Sequence, residues 1–512
     1  MKNEALLQKI EALEKALKAS DDRSKILENE NKLLREKIDL ILRRAFSPKS
    51  EAFAHPELGL KVDENSKIIE LPSESSKKIK PEPSSPAPRR KRVPTDLPRE
   101  VEYIDPLEVT QNPEAFRQIG EEISEKFDYE AGRFYVRQYI RRKYVSKIDL
   151  EKPPIIAPLP PVLQERLEAG PGLLAWVMTS KFVDHLPLYR LEQIMLSRYG
   201  VEISRQNLSR WVGLCADWIK PLYRIIGQEI FKEGYVQCDE TPIRYLSPGH
   251  GKTKKGYLWV VRDPRSGGEA FYHWDPGRSS EVLEDLIPPE FRGVLQIDAF
   301  SAYETYQNKH SERIALACCW AHARRKFHEA QDHYPVQAKR ILRILRLLYH
   351  QEALWREKNL SLEQIGQNRL QQSAPWIKRI FDILKKWTLQ KRFLPKSSMG
   401  VAISYTLKIQ TKLELFLKDP RVQIDNNLVK NAIRPTAIGK KNWLFIGCED
   451  VGDRAAILYT ITQSCKLHGV NPFEYFKHVL TVIPQYTNKT VHLLTPKNYA
   501  ESKKSALLSQ AA

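Results

Sequence analysis

Between residues 235 and 320 five short runs rich in β-branched and aromatic residues follow one another, and two of them carry an aspartate among apolar neighbours. The runs are YVQCDETPIRYL, KKGYLWVVRD, GGEAFYHW, GVLQIDAF and RIALACCW. Each has the length and composition of a strand. The second and third are joined by the turn Pro264-Arg265-Ser266-Gly267, SSEVLEDLI reads as a helix before the fourth, and the basic helix AHARRKFHEA follows the fifth. Strands and helices in that order fit a mixed sheet flanked by helices.

Asp239 sits inside the first run and Asp298 closes the fourth, where it meets Ala299-Phe300-Ser301. An ionised carboxylate in or at the end of a buried strand is costly unless it is compensated. Two of them on neighbouring strands repel, and divalent cations relieve that repulsion. Phosphoryl transfer uses such a pair, with two metal ions about 3.5 to 4 Å apart held by oxygen ligands. A salt bridge or a helix cap is the other use for each aspartate taken singly.

Residues 331–418 are helical in pattern throughout, as in AKRILRILRLLYHQEALW, and separate the strands from the block RVQIDNNLVKNAIRPTAIGKKNWLFIG. In that block Asp425-Asn426-Asn427 reads as a helix N-cap and Arg434-Pro435 as the helix end, with Lys430 on the helix between them. An all-helical insertion thus interrupts an α/β domain spanning 229–330 and 419–480, followed by a C-terminal tail, 481–512.

Upstream, Leu6, Ile10, Leu13 and Leu17, then Leu27, Asn31, Leu34, Ile38 and Ile41, form a heptad stripe, so residues 1–46 are expected to be a coiled coil that pairs two copies of the chain. Residues 47–100 are a basic Pro/Ser-rich linker, and 101–160 a small β-rich module in which RFYVRQYIRRKYV reads as a basic strand or two. In 161–228 one helix ends near Tyr199, Gly200 makes the turn, and a second short helix starts at Ser204. Arg205, Gln206, Asn207, Ser209 and Arg210 on it suit a helix-turn-helix entering a major groove, although helix pairs are common in any α-rich domain.

The net charge of +19 on 512 residues makes a polyanion the natural partner, nucleic acid first. No apolar run reaches membrane-span length and no signal-peptide core is present, so the cytoplasm, with nucleoid association when DNA is bound, is expected. The six cysteines lack zinc or redox spacing and read as reduced, mostly buried residues.

CDETPIRYL, LQIDAFSAYE, CWAHARRKF and IDNNLVKNAIRPTAIGKKNWLFIG, with GLLAWVMTSKFVDHLPLYRLEQI ahead of them, resemble the bacterial insertion-sequence transposases of the sixty-six family. These are of the DDE class with a ribonuclease-H-like core. The resemblance extends from the N-terminal coiled coil to about residue 480. It implies cleavage and rejoining of a mobile DNA element by water and then a DNA 3′-hydroxyl, with Mg2+ (or Mn2+) held by two aspartates and a glutamate. It further implies terminal-repeat binding through the helix-turn-helix region and accessory proteins from the same element. No protein nucleophile is required. Members often carry a cysteine-based zinc module where this chain has no cysteine in 101–150, so zinc is not expected.

The family's glutamate falls at Lys430. An ammonium has three donors and no lone pair, so it cannot ligate a cation. Three readings are open: an impaired transposase that still folds and binds DNA, a missing ligand supplied by Asp425 or Glu449, or a lysine acting electrostatically on the phosphate beside one metal. An alternative of another class is a catalytically inactive protein bound to the same repeats. His322, Arg324, Arg325 and Lys326 on the helix after the fifth strand, and Arg434, Lys440, Lys441 and Asn442 beyond Lys430, are candidate phosphate contacts. Ordinary surface charge is the other reading of the helix cluster. Trp443 and Phe445 read as core.

Overall fold

The computed structural model describes residues 161–511 except 248 and 250, together with 23–24, 27–28, 30–31, 34–35, 132, 134–139, 143–144 and 155–156. Most of the expected coiled coil and all of the linker therefore lie outside the described residues. Of the heptad stripe, Leu27, Asn31 and Leu34 are helical and exposed. Residues 134–139 have no regular structure. Part of the basic strand expected there lies outside the described residues. Among the described residues of that run, 134–139 are not in strand and Lys143–Tyr144 (β1) is, paired antiparallel with Ile155–Ile156 (β2).

Three helices follow. Pro171–Phe182 (α1) starts with proline in its first turn, where a missing N–H costs nothing. Leu188–Tyr199 (α2) ends at Gly200, whose φ of 65° takes the left-handed cap that glycine accepts without Cβ strain. Arg205–Glu229 (α3) is capped by Ser204 Oγ, which accepts from Asn207 N. The second helix is thus not short: it runs for 25 residues, through Pro221. Pro221 removes a bond to the carbonyl of Asp217, an exposed position that water can serve.

The sheet is built from Tyr235–Leu246 (β3), Thr253–Arg262 (β4), Ala270–Asp275 (β5), Gly293–Ile297 (β6) and Ile314–Cys318 (β7). Its order is β5-β4-β3-β6-β7, with β3–β4 and β4–β5 antiparallel and β3–β6 and β6–β7 parallel. Glu281–Leu286 (α4) precedes β6, Ser301–Lys309 (α5) follows it, and Trp320–Glu329 (α6) follows β7. This is the element order that the alternation of runs led us to expect. The parallel pairs are formed by crossovers through α4 and α5, as parallel strands require.

Pro335–Glu357 (α7), Leu362–Asn368 (α8), Ala374–Leu389 (α9), Ser398–Lys408 (α10) and Gln410–Lys418 (α11) make the helical stretch, with a π-helical turn at Arg369–Ser373. Buried Arg369 pairs with Glu352 and donates to the carbonyls of Phe416, Pro420 and Val422, so one guanidinium fastens the returning chain.

Asn427–Trp443 (α12) passes straight through Arg434-Pro435, where the sequence suggested an end. The bond lost at Pro435 would go to Asn431, which is exposed. Neighbouring carbonyls find side chains: Tyr272 OH donates to Ala432 O and Thr436 Oγ1 to Ile433 O. The tertiary partner Tyr272 could not be read from local pattern. Asp450–Leu467 (α13) and Pro472–Val482 (α14) follow, and α13 lies against β5 with Trp274 over Gly452 and Gly256, where a Cβ would collide with the indole. Beyond residue 480 the chain is not a bare tail. It forms two 3-10 turns and Pro496–Ala511 (α15), with Tyr475 OH donating to Leu494 O and its ring edging Tyr499. Among the described residues no helix is long and apolar enough to cross a membrane.

Candidate active site

The site lies where the two central parallel strands, β3 and β6, meet α12. Gln237 and Gln296 pair in register, and their buried side chains bond to each other at 3.0 Å, so they share one face. One pleat further on each chain come Asp239 and Asp298, which therefore point to that same face on neighbouring strands. Asp298 lies just past β6. Its Oδ1 accepts from Phe300 N, and Ala299, at φ 71°, takes a left-handed turn that lets α5 begin at once. That conformation is unusual for a residue with a Cβ and costs about 1 kcal/mol.

Glutamine side chains also dock the 421–447 block. Gln237 Nε2 donates to Asp425 O at 2.9 Å and its Oε1 accepts from Val429 N, while Gln296 Nε2 donates to Gln423 O at 2.6 Å. Tyr235 OH donates to Gln296 Oε1 and accepts from Gln423 N. The first turn of α12 is thus held over β3, and Lys430 in that turn reaches Asp239: Nζ to Oδ2 is 3.0 Å. Burial holds the Asp239 carboxyl above its ordinary value. Lys430 opposes that shift, and the Asp298 charge adds to it. The three positions singled out from sequence converge.

The Asp425-Asn426-Asn427 opening works differently from a simple cap. Asn426 makes no side-chain cap bond. Instead Asp425 Oδ1 and Oδ2 accept from the Asn427 backbone and side-chain amides. Asn426 is fully buried, its backbone N donates to Cys319 Sγ, and neither amide side-chain atom has a partner among the described residues. His322, on the first turn of α6, is also buried at Nδ1 without a partner. Burial and then the charges of Lys430, Arg325 and Lys326 push its pKa down to about 3, so it stays neutral.

The two acids named as substitutes lie apart from the Asp239–Lys430 contact or are already bonded elsewhere. Asp425 is buried, its two oxygens are occupied by Asn427, and the charge of Arg356 on α7 is felt there. Glu449 is exposed beside Cys448, which bridges to Leu246 at the far end of β3, seven residues or about 23 Å along the strand from Asp239. Among the described residues no group of three or more His, Cys, Asp or Glu side chains is placed to hold a metal ion. Two carboxylates with an ammonium on one of them do not fit the three-acid ligand set that the resemblance implied.

The remaining candidates separate. Lys326 lies over the Tyr405 ring at 4.7 Å, and Tyr405 OH donates to Asp298 O, so this lysine borders the site. Arg324 turns toward Tyr349 instead, at 5.8 Å from its ring. Lys440 donates to Thr241 Oγ1 and Pro242 O, just beyond Asp239 on β3. Arg434 and Lys441 are exposed on α12, and Asn442 donates to His185 O. Arg205, Gln206 and Arg210 are exposed at the start of α3, Asn207 is half-buried, and Arg210 donates to Asn207 Oδ1. Phe445 is 40% exposed, so it is not core; it follows Leu444, whose left-handed backbone ends α12 and turns the chain outward.

One cluster escaped the sequence reading. Glu240 points to the opposite face from Asp239, with its side chain almost fully buried, bonded to Arg278 and to Tyr303 OH. Arg278 in turn lies 3.8 Å over the Phe300 ring. Burial raises the Glu240 carboxyl against the Arg278 bonds, and Asp298 and Asp239 raise it further. Adjacency to Asp239 was the one sequence signal for Glu240. Nothing marked Arg278.

Asp239 on β3 and Asp298 just past the parallel neighbour β6 lie under a helix from a distant block, and the comparisons give the class of such a chain: a transposase. The family model described as "Transposase IS66 family" matches residues 166–454, "IS66 C-terminal element" matches 460–496, and "Transposase C of IS166 homeodomain" matches 33–101. The chain belongs to the IS66 transposase family. An uncharacterized protein of Sinorhizobium fredii, y4qI, is 32% identical over 478 residues, covering 90% of this chain and 85% of its own length. A second protein of that organism, y4jD, is 33% identical over 377 residues, 72% of each chain.

Proposed function

We propose that this chain is an insertion-sequence transposase whose phosphoryl-transfer centre is neutralised by its own lysine, so that it binds element DNA but joins strands poorly. The carrying observation is the 3.0 Å contact between Lys430 Nζ and Asp239 Oδ2. The ammonium occupies one oxygen that a divalent ion would need and adds repulsion in place of a third ligand. Support for a ribonuclease-H-like core comes from the strand order, from Asp239 on β3 and Asp298 just past β6, and from the helical stretch entering between β7 and α12. Asp239 and Asp298 carry the oxygen chemistry of Mg2+ or Mn2+ ligands. The net charge of +19 supports DNA as partner, with Arg205, Gln206, Asn207 and Arg210 reading terminal repeats and Lys326, Lys440 and Lys441 gripping phosphates. Pairing of two chains through residues 1–46, accessory proteins of the same element, and a cytoplasmic location belong to this reading, as does a core divided into 229–330 and 419–480.

Strand joining on DNA carrying the element's ends, measured for the full chain and for Lys430→Glu in MgCl2, tests it. Joining at least about tenfold stronger in the variant is expected, corresponding to 1.4 kcal/mol or more of barrier. Robust joining by the unaltered chain overturns the proposal. End binding with no joining by either protein favours the second reading, a catalytically inactive DNA-binding protein, which the same lysine suggests.

A further inference from the structure

Helices α6 and α7 enclose an open groove of about 530 Å³ lined by Arg324, His328, Lys339, Arg343, Arg346 and Tyr349, among others. No acidic side chain lines it. Lys339, Arg343 and Arg346 are exposed and fall four and three residues apart, so they form one stripe on α7. Ala338, Ile341, Ile344, Leu345 and Leu348 of the same helix are buried and fix which face is presented. Across the groove Arg324 and His328 sit one turn apart on α6. Among the described residues none of the four formal cations makes an ion pair with an acid, unlike Arg421 and Lys412 elsewhere on the chain. Clustered like charges cost stability on a helix surface, and a bound polyanion offsets that cost.

The cations are strung along a line and do not converge on a point, which suits a chain of phosphates better than a small anion. From Lys339 to Arg346 the helix rises about 10 Å, the axial span of about three phosphates on one DNA strand. The groove also has a bearing on the site. Cys319, just before α6, accepts from Asn426 N, and Trp320 N donates to Ile424 O, so α6 starts at the 421–447 block and Arg324 lies five residues, about 8 Å, along the helix from Cys319. We infer that the α6/α7 groove holds the sugar-phosphate backbone of DNA running away from the Asp239–Asp298 centre, with Lys339, Arg343 and Arg346 as its non-specific grip. This rests on the reading that DNA is the partner, and it gives the helical stretch a task that the site does not assign.

The test is the salt dependence of duplex DNA binding by the full-length chain, its Lys339→Ala/Arg343→Ala/Arg346→Ala variant, and a control with Lys378→Ala/Lys385→Ala/Lys386→Ala on the exposed side of α9. All six residues are exposed, and a thermal melt checks that each variant folds. The groove variant is expected to flatten the slope of log affinity against log salt by about 3, and the control by less than about 1. An unchanged slope in the groove variant, with the unaltered chain still binding, overturns the groove alone. Equal flattening in the control reduces the effect to bulk charge and also overturns it. Failure of the unaltered chain to bind DNA at any salt overturns both the groove and the proposed function.

Discussion

Replacing Lys430 by glutamate inverts the charge beside Asp239 and makes the site's electrostatics measurable without any reaction. At 3.0 Å the gross attraction between Nζ and Oδ2 is about 5 kcal/mol at an effective dielectric near 20. The net value is smaller, because the lysine side chain is 22% exposed and the aspartate 10%, and both lose hydration. Losing the cation and adding a third carboxylate next to Asp239 and Asp298 should destabilise the fold by about 3 kcal/mol in EDTA, within the range for breaking a buried pair. The variant should then gain what the unaltered chain lacks. Three carboxylates bind a divalent ion, which returns about 2.7 kcal/mol at a hundredfold excess over the dissociation constant. Urea unfolding followed by tryptophan fluorescence, in EDTA and in MgCl2 at matched ionic strength, reads both effects. If Lys430→Glu is as stable as the unaltered chain in EDTA and indifferent to magnesium, the carboxylates do not converge and the reasoning fails.

The pKa of His322 is pushed down to about 3, chiefly by burial, so the unfolded chain binds a proton there between that value and about 6.5 when the folded chain does not. Stability should therefore be fully present above pH 6.5 and fall as the pH drops toward 3, by up to a few kcal/mol; His322→Gln should flatten that acid limb in a pH series of melts. Arg369→Met should destabilise the chain by about 3 to 5 kcal/mol in urea unfolding, because it strands buried Glu352 and three carbonyls. An effect below about 1 kcal/mol would mean that the guanidinium is not the fastener described above.

Local chemistry was enough for the strands. Alternating apolar runs between 235 and 320, the turn at Pro264–Gly267 and the helical stripes of 331–418 are short-range patterns, and short-range patterns specify secondary structure and its order. The aspartates were legible for a related reason, since a charge amid apolar strand residues is conspicuous wherever the strand ends up. Lys430 was legible as an oddity only. Its meaning came from the glutamine contacts that carry α12 across β3, between residues nearly 200 positions apart. Tertiary structure also overrode local rules at Pro435, where the helix continues with Tyr272 bonded to the neighbouring Ala432 carbonyl, and at Phe445, which a left-handed Leu444 turns outward. Glu240 with Arg278, and the facing cationic stripes of α6 and α7, exist only once distant elements are packed. The sequence by itself determined which residues carry charge and which segments alternate; which charges meet was decided by the sheet register and the helix docking, because Coulomb energy depends on separation in space and not along the chain.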